Sequence, residues 1–317
     1  MRVTAIAVIL ASVAVLLCSA AGIASEVHWT PAHEQAPLGV AGKMAAGDLD
    51  GDGDDDIADF VYGDMYRNMG CPGPPTWGQE EDVLLSMNAL GCAGGYGTLG
   101  DVDADGDLDL VYGCYECCSF RMVWNVGTPQ VPVWEYDGAI PGDPLAAAYT
   151  YARLGDLDAD GDLDLMGTTE YSPVRIWENT GTPEAPQWGP PQPIPEIDLS
   201  WYSCVVALGD LDGDGDLDFI GNQYWGRLKS WENVGTPEQW SFVRNDAMLT
   251  GVDMPTDDIF GVSLPDVDCD GDCDLVIAGY LDAVYLYLND QFTLVESESW
   301  GTIKALFRGD GEQVSPN

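Results

Sequence analysis

Apolar residues fall in short, strand-length runs along most of the chain: Leu108–Tyr112, Asp218–Gly221 and Leu275–Ala278, with Val174–Trp177 and Ala283–Leu288. These runs are rich in Val, Ile, Tyr and Trp and bounded by Gly, Pro, Asn and Asp, the pattern of β-strands closed by turns. Beyond the first residues no window sustains a 3.6-residue apolar period, so helices are not expected. The exception is the opening segment, in which Arg2 precedes an apolar run from Ile6 to Leu17 and then small residues. That layout reads as a secretory signal peptide over residues 1–24, cut near Ala21 or Ala24. Nothing else approaches the roughly 18 uninterrupted apolar residues of a membrane span, so the mature chain is expected to be soluble and secreted.

The runs repeat. An aspartate cluster recurs as DLDGDGDDD from Asp48, DVDADGDLD from Asp101, DLDADGDLD from Asp156, DLDGDGDLD from Asp210 and DVDCDGDCD from Asp266, at steps of 53–56 residues. A second signal keeps the same phase: YRNMGCP, WNVGTP, WENTGTP, WENVGTP and a decayed YLNDQF. Trp77, Trp134, Trp188 and Trp240 follow in turn, while Trp29 stands alone ahead of the first cluster. Each unit offers four strands: one around the Trp, one of small residues before the cluster (Met44–Ala46, Val205–Leu208), one after it, and one before Asn-x-Gly. Four strands in a unit of this size, repeated radially, make a β-propeller blade. The expected fold is therefore all-β, a propeller of about five four-stranded blades over residues 25–292. Residues 293–317 are left to close the ring, cap it or form a degenerate sixth unit.

Charge sharpens the picture. With 54 acidic against 11 basic residues the net charge is −43, which argues against nucleic acid and anionic membranes and points to cations. Calcium takes six to eight oxygens at about 2.3–2.6 Å, and carboxylates at alternate positions of a tight loop can converge on one such ion. Position 6 of each cluster is Gly, which supplies the turn, and position 7 commonly donates its carbonyl. The first loop offers the side chains of Asp48, Asp50, Asp52 and Asp56, with Asp54 through its carbonyl. The second has Asp101, Asp103, Asp105 and Asp109 with Asp107, and the third Asp156, Asp158, Asp160 and Asp164 with Asp162. The fourth has Asp210, Asp212, Asp214 and Asp218 with Asp216, and the fifth Asp266, Asp268, Asp270 and Asp274 with Asp272. About five structural Ca2+ ions, one per unit, are the expected cofactors. A solvated acidic turn would not reproduce one spacing and one Gly in every unit. An EF-hand would need an acidic position 12 and a following helix, but that position reads Asp59, Tyr112, Gly167, Gly221 and Ile277 inside strand-like runs.

DLDGDGDLDFIGNQYWGRLKSWENVG closely resembles a VCBS repeat, and Ile259–Pro265 leading into DVDCDGDCDL resembles the start of an FG-GAP unit. The chain thus resembles the FG-GAP and VCBS repeat proteins of the integrin α-subunit propeller superfamily over about residues 27–292. The resemblance implies calcium bound within blades and a role in adhesion or in binding carbohydrate or protein partners. The blade count of five departs from the seven of integrin-type propellers, and Asn-x-Gly-Thr-Pro replaces the Gly-Ala-Pro half.

Aromatic residues recurring between the second and third strands of a blade, Tyr115, Tyr171, Tyr224, Trp225 and Tyr280, are candidate sugar-stacking positions, with packing between blades as the alternative. Tyr149, Tyr151, Trp201 and Tyr202 share that status, while Trp124, Trp177, Trp231 and the Trp77, Trp134, Trp188, Trp240 series are expected in blade cores. Cys18 lies in the leader, and the other eight cysteines suit an oxidising compartment; Cys269 and Cys273 are candidates to bridge across the fifth loop. Arg308-Gly309-Asp310 is an incidental short match. The only histidines are His28 and His33, outside the repeats, and no G-x-S-x-G, H-E-x-x-H or P-loop is present. A binding module rather than an enzyme is therefore expected. The alternatives are a calcium-dependent polysaccharide lyase, with Lys229, Arg227 and Arg175 as candidate bases, and a structural surface component.

Overall fold

The computed structural model describes residues 27–289 apart from 37–42, 81–83, 85–95, 115–118, 141–149, 170–171, 183, 198, 200–204, 223–226, 237–238, 254–258 and 280–282. Twenty strands form five antiparallel four-stranded sheets. The first blade is β2 (Met44–Gly47), β3 (Asp56–Asp59), β4 (Asp64–Asn68) and β5 (Trp77–Glu80); the second is β6 (Gly97–Gly100), β7 (Asp109–Cys114), β8 (Ser119–Asn125) and β9 (Trp134–Ala139). The third is β10 (Thr150–Gly155), β11 (Asp164–Thr169), β12 (Ser172–Trp177) and β13 (Gln192–Pro193); the fourth is β14 (Val206–Gly209), β15 (Asp218–Gly221), β16 (Lys229–Asn233) and β17 (Phe242–Arg244). The fifth takes β18 (Ile259–Ser263), β19 (Leu275–Gly279) and β20 (Val284–Asn289) from the end of the chain and β1 (Trp29–Pro31) from its beginning. The only helical turns among the described residues are the short His33–Gln35 and Asp246–Leu249 segments, and no described helix is long and apolar enough to cross a membrane.

The first strands of the blades adjoin one another in the order β2, β6, β10, β14, β18 and back to β2, which makes the sheets a closed ring. Strands crowded about an axis have little room for side chains, and the small residues ahead of each aspartate cluster meet that demand. A side chain at Gly100 would run into Leu163 of the next blade at 2.7 Å, and one at Gly155 into Leu217 at 2.6 Å. Position 8 of each loop thereby keys into the glycine before the preceding loop. Leu108 does so over Gly47 and Cys273 over Gly209. The joint between blades 5 and 1 differs, because Pro265 stands in the glycine's place and Asp55 at position 8, its carboxylate accepting from the Asp266 amide at 3.0 Å.

Arg153 of β10 lies across the axis. Its guanidinium donates to the carbonyls of Gly97 in β6 at 3.2 Å and Val262 in β18 at 2.9 Å, as well as to Ala152 at 2.7 Å. Burial pulls its pKa down to about 10, which leaves it charged at neutral pH and compensated by carbonyl dipoles.

Ring closure rests on β1. Trp29 pairs with Asn289, Thr30 with Leu288 and Pro31 with Tyr287, so the start of the chain supplies the outermost strand of the last blade. The Trp29 indole is buried and donates to the Met248 carbonyl at 2.7 Å. Of the tryptophans expected in the core, Trp177 and Trp231 are fully buried, whereas Trp77, Trp134, Trp188 and Trp240 are only half-buried. The latter mark the outermost strand, which has one neighbour instead of two. In the third blade Trp188 makes only an isolated bridge to Asn179, because Pro190 and Pro191 have no N–H to donate and postpone pairing to Gln192.

Candidate metal centre

Each aspartate loop connects the first and second strands of its blade, and its conformation is set by two left-handed residues. Position 4 is Gly51, Ala104, Ala159, Gly213 or Cys269, with φ between 55° and 75°, and the position-6 glycines have φ of 96–99°. Amides bared by these turns point inward to the position-1 carboxylate. The Gly53, Gly106, Gly161, Gly215 and Gly271 amides donate to Asp48, Asp101, Asp156, Asp210 and Asp266 at 3.0–3.1 Å.

Position 9 is the anchor. Asp56, Asp109, Asp164, Asp218 and Asp274 are at most 1% exposed. One oxygen of each accepts from the position-2 amide at 2.8–3.1 Å (Leu49, Val102, Leu157, Leu211, Val267). The other accepts from the amide of Asn68, Asn125, Asn179, Asn233 or Asn289 at 2.8–2.9 Å. The side-chain oxygens of Asn68, Asn125, Asn179 and Asn233 in turn accept from the amide of the turn glycine two residues on, whereas after Asn289 that place is held by Gln291. The Asn-x-Gly element thus exists to hold position 9, a link that its fixed phase with the loop could have revealed. Burial raises Asp56, Asp109 and Asp164 to about 7 and Asp218 and Asp274 to about 8, against the pull of those amides.

Positions 1, 3 and 9 converge. In Asp48/Asp50/Asp56, Asp101/Asp103/Asp109, Asp156/Asp158/Asp164, Asp210/Asp212/Asp218 and Asp266/Asp268/Asp274, one carboxylate oxygen from each residue lies within 4.8 Å of the others. That span is about twice a calcium–oxygen bond, so each triad can surround one such ion. Position 5 stands apart: Asp52, Asp105, Asp160, Asp214 and Asp270 accept from the position-7 amide at 3.0–3.3 Å. Position 7, expected to act through its carbonyl alone, also buries its carboxylate in Asp54, Asp107, Asp162 and Asp272. Buried carboxylate oxygens without a hydrogen-bond partner, Oδ1 of Asp54, Asp103, Asp107, Asp156 and Asp162, accumulate in these loops, as suits residues that hold a cation. Hard oxygen donors and no nitrogen or sulfur in the triads fit calcium in type as well as in span.

Neighbouring blades cover the loops. Gln130 of blade 2 donates to the Asp50 carbonyl at 2.7 Å, and Asn68 of blade 1 to the Val267 carbonyl at 2.8 Å. At that second junction the expected Cys269–Cys273 bridge is replaced by a Cys71–Cys269 disulfide, and Cys273 is free. The physical reason is orientation: Cys269, in the left-handed position 4, faces the turn of blade 1, whereas Cys273 is committed to the Gly209 joint on the other side. Burial and the surrounding carboxylates push the Cys273 thiol up to about 12. The proposed aromatic positions Tyr115, Tyr171, Tyr224, Trp225 and Tyr280 lie outside the described residues, as do Tyr149, Trp201, Tyr202 and the Arg308–Asp310 tripeptide. Tyr151 is buried against Tyr96 and is part of the core.

A family model for FG-GAP-like repeats matches residues 101–166 and 156–221, each match running from one aspartate loop through the next. The chain carries FG-GAP-like repeats. The match spans loops two to four of the five-bladed propeller, whose first and fifth loops share the same geometry. No curated protein matches the chain. Among solved structures, an exo-β-1,3-galactanase from Phanerochaete chrysosporium is 10% identical over 86% of this chain and 65% of its own, with a TM-score of 0.50. A lectin from Agrocybe aegerita recognising non-reducing terminal N-acetylglucosamine is 19% identical over 84% and 64%, with a TM-score of 0.42. The Tc holotoxin pore of Photorhabdus luminescens is 16% identical over 84% of this chain and 14% of its own, with a TM-score of 0.44. The chain spans less than two thirds of the length of each, and the likeness to the galactanase, at 10% identity, is one of fold.

Proposed function

We propose that this FG-GAP repeat propeller is a secreted, calcium-loaded binding module, non-catalytic, whose partner is a carbohydrate or a protein. The observation that carries the calcium reading is the fivefold repetition of one carboxylate triad on one backbone. Calcium bound there supplies the positive charge that lets converging carboxylates coexist. The chain does the rest. Position 1 gathers the turn amides, position 9 ties the loop to the Asn-x-Gly turn, and the neighbouring turn covers it. The leader-like N-terminus and the Cys71–Cys269 disulfide support an extracytoplasmic setting. The binding role is supported by the repeat family.

Differential scanning fluorimetry of the mature chain with chelator and with millimolar calcium tests the metal. A melting temperature that rises with calcium concentration is expected, since ligand binding to the native state adds to its stability by mass action. Indifference to both additives would end the reading. Glycan-array binding in calcium, repeated after chelation, then tests the partner: calcium-dependent hits support a lectin-like module, and a blank array with intact folding directs the search to proteins.

A further inference from the structure

The five loops share a backbone but not a charge environment. The residue before the turn asparagine reads Arg67, Trp124, Glu178, Glu232 and Leu288 around the ring. In blades 3 and 4 its carboxylate lies within electrostatic reach of Asp158 and Asp212 and adds negative charge to the loop. Blade 1 inverts the sign. Arg67 Nε sits 2.8 Å from Oδ2 of Asp50, which is 6% exposed, and its Nη2 is held at 3.0 Å by Glu80. The Nε–H is not aimed at the oxygen, so the contact with Asp50 is one of charge. It joins a basic side chain to a triad aspartate, whereas Trp124 and Leu288 bring no charge to the corresponding position of blades 2 and 5.

We infer that Arg67 is a resident counter-cation of the first loop and makes it the low-affinity calcium site of the ring. The inference rests on the calcium reading. A cation entering this loop competes with Arg67 for Asp50 and is repelled by it at short range, whereas in blades 3 and 4 it is drawn by an extra carboxylate. Even with Arg67 about a third exposed and partly screened, a unit charge this close weakens binding roughly tenfold or more. Loop 1 also borders the closing junction, through Asp55 on the Asp266 amide and the Cys71 amide on Asp54. Calcium concentrations that fill the other blades therefore leave the junction as the last part of the ring to respond.

Calcium titration of the chelator-stripped chain by calorimetry, with bound ion counted by equilibrium dialysis, decides the matter. The wild type is expected to fill four sites and then a fifth at least about tenfold more weakly. Arg67→Gln is expected to bring the fifth into the main class, and Glu232→Arg to move one site from the main class to the weak one. Near-ultraviolet circular dichroism of the calcium-loaded variants checks folding, and the Glu232→Arg arm carries the test if Arg67→Gln does not fold. Five equivalent sites in the wild type, or a weak site untouched by Arg67→Gln and not created by Glu232→Arg, would overturn the inference. No calcium bound by any form would instead overturn the calcium reading beneath it.

Discussion

At the scale of single residues, position 9 is where the sequence was most and least informative. Its aspartate was legible from spacing alone as a member of the carboxylate cluster that the fold brings together. Its partner was not, because Asn179 lies 15 residues from Asp164 and joins it only once two strands have formed. Asn179→Ala leaves the Gly181 and Gln187 amides without their acceptor, and a loss of about 1–3 kcal/mol is expected from urea unfolding in calcium. The same site gives the pH response its sign. Position-9 carboxylates raised to about 7–8 in the fold and near 3.9 when unfolded bind more protons in the native state. The metal-free protein therefore loses stability as pH rises from about 4 through 8, the reverse of the usual buried-salt-bridge carboxylate. With calcium the deprotonated form is the one that binds. Melting temperatures with and without chelator are thus expected to lie close together at pH 5 and far apart at pH 8.

Apart from the outer strand of the third blade, elements obeyed the repeat wherever neighbours in sequence are neighbours in space. The four strands per unit, the loop between the first two and the small residues of the inner strand all follow from local patterning, as at Val206–Gly209. What escaped were pairings across the whole chain. The phase of Trp29 was visible, yet its pairing with Asn289 needed the ring to close, and Cys71 with Cys269 needed the same closure. The junction they secure is the one without the glycine and apolar key used elsewhere, so a covalent tie falls where the repeating joint is missing. With a separation of 198 residues, losing the disulfide by Cys71→Ser with Cys269→Ser is expected to cost about 3–5 kcal/mol, largely through the freedom restored to the unfolded chain. Chemical denaturation of this double variant beside the wild type measures it, and equal midpoints would show that Asp55 and β1 suffice.

For the molecule as a whole, the ring is drawn tight enough for one arginine to reach across it. Arg153→Met keeps most of the volume but leaves the Gly97 and Val262 carbonyls without their donor, and a cost of about 3 kcal/mol or more is expected. Because these two carbonyls and Arg153 itself belong to three different blades, the variant is expected to shift a single cooperative melt, observed by calorimetry, without splitting it. The placement of β1 carries a mechanical consequence. Trp29 and Asn289 lie side by side at the same end of antiparallel strands, so tension applied from outside these two residues would load their three pairs in succession, like opening a zip from its end. The force then meets a ring still tied at Cys71 and Cys269, and the rim gives way while the propeller behind it holds.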